Sequence, residues 1–166
     1  MTNEVSYEIS IDIPREEAWE KLRDISLAHN YVPGLVSTEI RTEQKEGVGA
    51  SRRVFQKKDW IDETVEEWTD GYGFLIRLHR GDKTPPVFNK AWFRYSIADG
   101  PNDTTIFNAS MTYEMPWGGI GRALDKYVLR KSLVSILRDV AVAMKSYYET
   151  GEPVTPDKLK ALKAKK

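Results

Sequence analysis

The sequence predicts an α+β domain in which a curved antiparallel sheet of seven strands wraps around one long C-terminal helix. Three observations carry the prediction. Alternating apolar and polar residues recur along the first 115 positions, clusters of turn-forming residues separate these runs, and after Pro116 the apolar period lengthens to that of a helix. At 166 residues the chain has the size of one domain, since chains of about 150 residues bury close to 70% of their unfolded surface.

The first strand spans residues 5–13, with Val5, Tyr7, Ile9, Ile11 and Ile13 on one face and Ser6, Glu8, Ser10 and Asp12 on the other. Pro14 then opens a short helix in PREEAWEKLRD, whose acids sit in the first turn and whose Ala18, Trp19 and Leu22 share a face. A second helical turn covers 26–30, with Ser26 as its N-cap and Pro33-Gly34 as its stop. Six further strands follow at 36–45, 50–58, 61–69, 74–80, 87–98 and 104–115. The breaks between them, such as Asp70-Gly71-Tyr72-Gly73 and Asp82-Lys83-Thr84-Pro85-Pro86, suit hairpins and therefore antiparallel neighbours. The strands at 50–58 and 61–69 read in either register, with a bulge as one solution. Residues 120–149 place Leu124, Val128, Leu133, Ile136, Leu137, Val140, Ala141 and Met144 on one broad apolar face, a helix of about 45 Å. Residues 1–152 thus form the domain, and 153–166 read as a basic, flexible tail.

Seven strands that each bury one face need an apolar partner, and the terminal helix is the element large enough to supply it. A curved sheet and a straight helix do not touch along their whole lengths, so a cavity is expected between them. Here the sequence resembles the START/Bet v 1-like (SRPBCC) superfamily, in particular its polyketide cyclase/dehydrase and lipid-transport branch. The resemblance covers nearly the whole chain and rests on IDIPREEAWEKLRD, NYVPGLVSTEI, AWFRYSIAD, TTIFNASMTYEM and PWGGIGRALD, with Tyr31 where the family usually has Trp. It implies a helix-grip fold around a hydrophobic pocket, in a superfamily whose members bind lipids, sterols, quinones or polyketides and include some cyclases. These motifs are structural, so they leave the activity open.

Composition narrows the partners. Lys plus Arg and Asp plus Glu both number 25, so no bulk field selects nucleic acid or an anionic membrane. The chain lacks Cys, which removes thiolate nucleophiles and zinc-thiolate sites and fits a cytoplasmic setting. The sequence MTNEVSYEIS has no signal-peptide pattern, and no stretch approaches the roughly 20 apolar residues that span a bilayer. His29 and His79 lack metal-ligand spacing, and neither a phosphate loop nor a dinucleotide fingerprint is present, so no metal or cofactor is expected. His79, alternating with Arg77 and Leu75, reads as a surface imidazole.

The inward face predicted from the clear strands supplies the ligand-binding candidates Tyr7, Ile76, Leu78, Asn89, Phe93, Tyr95, Met111 and Tyr113, alongside Ile9, Ile11, Ile40 and Phe74. The hydroxyls of Tyr95 and Tyr113 would orient a ligand oxygen, although buried tyrosines ordinarily bond backbone or water. Asn89 would need a partner, structural or ligand, because an unpaired buried amide costs about 1–3 kcal/mol. Glu63 and Glu67 share the face of Ile61 and Val65 in one register and offer a general acid or base; in the other they are solvated. Trp117-Gly118-Gly119-Ile120-Gly121 reads either as a lid at the pocket mouth, with Trp117 touching ligand, or as a tight strand-to-helix corner. Arg122, Lys126, Arg130, Lys131 and Arg138 on the helix, with the tail lysines through Lys166, read as a solvated face rather than a headgroup-binding strip.

Three functions compete: binding or transport of a small hydrophobic ligand, a cyclase or dehydratase using a pocket carboxylate, and a protein-interaction module with a filled core. The first fits the aromatic inward faces best. Oligomeric state and ligand identity are not legible in this pattern.

Overall fold

A computed structural model describes residues 2–85 and 87–165, the side chain of Lys126 excepted. Pro86 of the expected turn, Lys166 and the Lys126 side chain thus lie outside the described residues. The seven strands are β1 (Thr2–Ile11), β2 (Leu35–Ile40), β3 (Ser51–Gln56), β4 (Trp60–Thr69), β5 (Gly73–His79), β6 (Lys90–Asp99) and β7 (Thr105–Glu114). They form one antiparallel sheet in the order β1-β7-β6-β5-β4-β3-β2.

Side-chain size explains why the first and last strands pair. Across β1, β7 and β6, Tyr7, Ala109 and Tyr95 form one row and Ile9, Phe107 and Ile97 the next, so large and small residues alternate on the inner face. A slip by one residue would turn this whole set to solvent, which fixes the register. Strand β4 is less regular. A shift between Val65 and Glu67 turns Ile61, Glu63 and Val65 inward before the bulge and Trp68 inward after it, with Glu67 outward.

Helix α1 (Arg15–Leu22) buries Ala18, Trp19 and Leu22, as its spacing predicts. The next turn, Ile25–Asn30, is a 3-10 helix whose N-cap is Asp24 rather than Ser26: the Asp24 carboxylate accepts from the Ser26 backbone N–H. The terminal helix begins earlier than expected, as α2 (Gly118–Leu124), passes through a π-helical turn at Asp125–Leu129, and continues as α3 (Arg130–Thr150) to the left-handed Gly151. The extra residue of the π turn lets Asp125 reach inward, where it is buried and accepts from the Tyr113 hydroxyl. At the corner before α2, a Cβ on Gly121 would stand 2.1 Å from the Pro116 carbonyl oxygen, so the chain turns here only with glycine.

Helix α3 lies mainly over β1 and β7. The opposite end of the interior is filled by rings, running from Trp19 to Trp68 (5.1 Å between centroids), Phe74 (5.4 Å) and Tyr95 (5.2 Å).

Two expectations are corrected. The tail expected at 153–166 is not irregular over its described residues: α4 (Pro156–Ala164) is capped by Thr155, starts with proline at N1, and is tied to the domain by Val154 N–H to Asn30 O (2.8 Å) and Lys163 to Asp139 (2.9 Å). The helical face is also only half covered. Leu133, Leu137, Val140, Ala141 and Met144 are buried, whereas Leu124 and Val128 in the first turns are exposed, and so is Ile136, which lies further along in α3.

Candidate functional site

Between α3 and strands β3 to β7 lies a cavity of about 360 Å³. Its position follows from the packing: the helix covers β1 and β7, so the space is left over the other strands. The wall is apolar where β5, β6 and β7 supply Leu78, Phe93 and Met111 and where α3 supplies Leu133, Leu137 and Val140. The loops before β2 and β6 close one side with Val32, Pro33, Pro85 and Phe88. Pro33 and Ile136 are exposed as well as lining, so the cavity reaches the surface between the 32–35 loop and the helix.

Polar groups are few: exposed Gln56, Asp139 paired with Lys163, and one buried group. Glu63 and Tyr95 line the cavity, and behind them stands Arg52, 1% exposed. Arg52 Nε donates to Glu63 Oε2 (2.5 Å) and its Nη1 to the Ile25 carbonyl oxygen (2.6 Å). Its Nη2 is buried without a hydrogen-bond partner, as are the hydroxyls of Tyr31 and Tyr148. The Tyr31 hydroxyl lies close enough to feel both Tyr148 and Arg52, yet neither contact has hydrogen-bond geometry. Burial works against the Arg52 charge, and the attraction and hydrogen bond of Glu63 together with the neighbouring Tyr95 and Tyr31 more than reverse it, so the guanidinium stays protonated. Burial likewise raises the Tyr95 and Tyr148 pKa values above the ordinary tyrosine range, which keeps both as neutral donors. Unmet donors beside an apolar cavity can hold one ligand oxygen or one water.

The structure separates the residues that the sequence grouped. Leu78, Phe93, Tyr95 and Met111 line the cavity, and so does Glu63. Glu67 does not: the bulge turns it outward, where it pairs with Arg94 at 2.6 Å and is exposed. Tyr7 packs partly buried against the core, and Ile76 is buried within it, both away from the cavity. Tyr113 is buried with its ring against Phe88 (5.5 Å) and its hydroxyl spent on Asp125. Asn89 is exposed, with its side-chain nitrogen 3.5 Å from the Met115 carbonyl oxygen, because β6 starts only at Lys90. Val87, two residues before Asn89, has a φ of +87°, which an extended strand excludes. Trp117 is 68% exposed and lines a separate hollow. His79 bonds Thr64 Oγ1 (2.7 Å) on the outer face.

Arg52 was missing from the predicted set. Its signal was present: it alternates with Ala50 and Val54, both buried, and it faces Glu63 across the β3–β4 pair. An arginine and a glutamate on inward positions of adjacent strands form a complementary pair that favours this register over the alternative.

Residues 2–149 match the family described as polyketide cyclase / dehydrase and lipid transport. The chain belongs to this family. Solved structures share the family member's fold over most of its length. They include Ara h 8.0201 (14% identity, TM-score 0.63, covering 89% of this chain and 98% of that one). An uncharacterized protein from Bacillus thuringiensis (14%, TM-score 0.69, 88% and 98%) and a protein from Nitrosospira multiformis (15%, TM-score 0.68, 90% and 98%) are also similar. The helix-grip architecture of the START/Bet v 1-like superfamily is therefore the fold of this polyketide cyclase/dehydrase and lipid-transport family member. No curated protein matches the sequence. Among the described residues no helix is long and apolar enough to cross a membrane, and no group of side chains is arranged to hold a metal ion.

Proposed function

We propose that the chain binds one small hydrophobic molecule in the cavity, with the apolar body of the ligand against Phe93, Met111 and Leu133 and a single oxygen at Tyr95 and Glu63. The observation that carries this reading is the cavity itself, lined mostly by apolar side chains, with Tyr95 and Glu63 as its buried or nearly buried polar groups and Gln56 and Asp139 as the others. Pockets for small molecules run from about 300 to 1,000 Å³. At about 360 Å³ the space suits a quinone head, a short polyketide or a single acyl chain better than a diacyl lipid. A ligand that buries about 200 Å² of apolar surface gains about 5 kcal/mol before association costs, so the contacts at the polar end decide which ligand is kept.

The test is displacement of 8-anilinonaphthalene-1-sulfonate, an apolar double ring with one anionic group, by single-chain fatty acids and by small quinones. Saturable, competable fluorescence that disappears in Leu78→Trp, where the indole fills the cavity, supports the reading. Dye binding that is unchanged in Leu78→Trp counts against it.

The enzymatic reading has one supporting observation, Glu63 in the cavity wall. Its carboxylate is held by Arg52, which makes it a better fixed acceptor than a mobile proton carrier. A cyclase or dehydratase would lose turnover in Glu63→Gln while keeping its ligand affinity. The interaction-module reading needed a filled core, and the cavity counts against it.

A further inference from the structure

The first turns of the terminal helix present an apolar surface that the cavity does not use. Ile120, Leu124, Tyr127 and Val128 follow the i, i+4, i+7, i+8 spacing of one helical face and are 71%, 44%, 68% and 61% exposed. Trp117 and Val87 stand beside them, 68% and 51% exposed, around a hollow of about 190 Å³ completed by Met115, Leu129 and Ser132. Both residues adopt left-handed backbone conformations, with φ of +65° and +87°. For an aromatic and a β-branched side chain that geometry is strained, and the surroundings must maintain it. Single exposed apolar residues are ordinary, but a contiguous cluster marks an interaction surface.

Charge identifies the partner. From Pro116 to Lys131 the sequence carries Arg122, Lys126, Arg130 and Lys131 against one acid, Asp125. That acid is buried and bound to Tyr113, so it does not offset the cations at the surface. Arg122, Arg130 and Lys131 are exposed. The chain is neutral as a whole, so this positive stretch is a local segregation of charge. An amphipathic helix with Trp and aliphatic residues on one side and Arg and Lys around them is the pattern of a segment lying in the headgroup region of an anionic bilayer.

We propose that residues 117–131, with Val87 beside them, dock the protein peripherally on anionic membranes. The surface adjoins the cavity: Phe88 and Leu133 line the cavity directly next in sequence to Val87 and Ser132 of the patch, and Ile136 is both lining and 53% exposed. Docking would therefore bring one wall of the cavity to the interface where apolar molecules dissolve. Docking itself does not depend on the cavity having a ligand.

The test is co-sedimentation of the intact chain with vesicles of phosphatidylcholine, with and without phosphatidylserine. Binding is expected with phosphatidylserine only, and to weaken about tenfold or more as salt rises and screening shortens the range of the charges. Ile120→Ser should weaken it about tenfold or more, the scale of one lost aliphatic side chain. Arg122→Gln should weaken it about fivefold. Val48→Ser removes an apolar residue that is 61% exposed outside the patch and should leave binding unchanged. A blue shift of tryptophan emission on vesicle binding, absent in Trp117→Phe, would place the indole in the bilayer. No binding, equal binding to neutral vesicles, or a dimer in solution that Ile120→Ser dissociates would overturn the proposal. Dye binding in the cavity should be the same in Ile120→Ser as in the unaltered chain, so failure of docking and failure of ligand binding are separable.

Discussion

The two halves of the terminal helix carry the same apolar periodicity and meet different surroundings. In α3, Leu133, Leu137, Ala141, Met144 and Tyr148 are 6% exposed or less and face the sheet, with the Arg52 cluster beneath Tyr148. In α2 and the π turn, Ile120, Leu124 and Val128 face solvent, and the one buried polar anchor is Asp125 on Tyr113. Periodicity defines a face, then, but not what the face meets. That depends on how far the sheet curves, a property of all seven strands together.

The strongest challenge to this contrast is Arg52→Ala. It leaves Glu63 half-enclosed without its cation and should cost about 3–5 kcal/mol in urea unfolding, the usual scale for breaking a buried pair. Replacing both residues by leucine should recover most of the loss, since an apolar pair of similar volume removes the stranded charge. A small effect of Arg52→Ala alone would mean that the cluster is wet and does not hold the C-terminal half in place.

How much of this was legible in the sequence follows the same division. Strands β1, β6 and β7 alternate cleanly, so their inner residues, including Phe93, Tyr95 and Met111, were placed correctly from pattern alone. Strands β3 and β4 carry charge on both faces. There the decision rested on a cross-strand partner, Arg52 opposite Glu63, and on a bulge that turns Glu67 away, neither of which periodicity detects. Asn89 and Val87 were read into a strand because their alternation continued it, and only the left-handed backbone at Val87 shows where β6 starts. The 153–166 segment is rich in lysine, which suggested an irregular tail. Its N-cap Thr155 and N1 proline Pro156 were nevertheless a readable helix start.

Leu137→Ala tests the buried half of the helix by itself. The side chain is 1% exposed, and its removal should cost about 2–5 kcal/mol. It should also enlarge the cavity and admit bulkier competitors of the dye, because Leu137 is part of the wall. Leu124→Ala, the same change on the open half, should shift stability by less than about 0.5 kcal/mol.

Tyr113→Phe addresses the anchor where the halves join. It strands the buried Asp125 carboxylate and should cost about 1–3 kcal/mol at neutral pH. The pH dependence has a definite sign. Burial, then the bond to Asp125, raises the Tyr113 pKa above the value of 10.0 of an unfolded tyrosine. Its contribution is therefore complete below pH 10.0 and declines as pH rises beyond it, where the unfolded chain has already released the proton. Chemical denaturation across the alkaline range should show a shallower fall in Tyr113→Phe than in the unaltered chain. Some slope will remain, because Tyr31, Tyr95 and Tyr148 are raised as well.

The smallest effect is the most exposed one. Ile120→Ser removes three carbons from a side chain that is already 71% exposed, so folding loses little and stability should change by less than about 0.5 kcal/mol. A loss several times larger, read in the same urea titration, would show that Ile120 packs against another part of the chain in solution. The open half of the helix would then resemble the covered half, and the surface assigned to the bilayer would belong to the core.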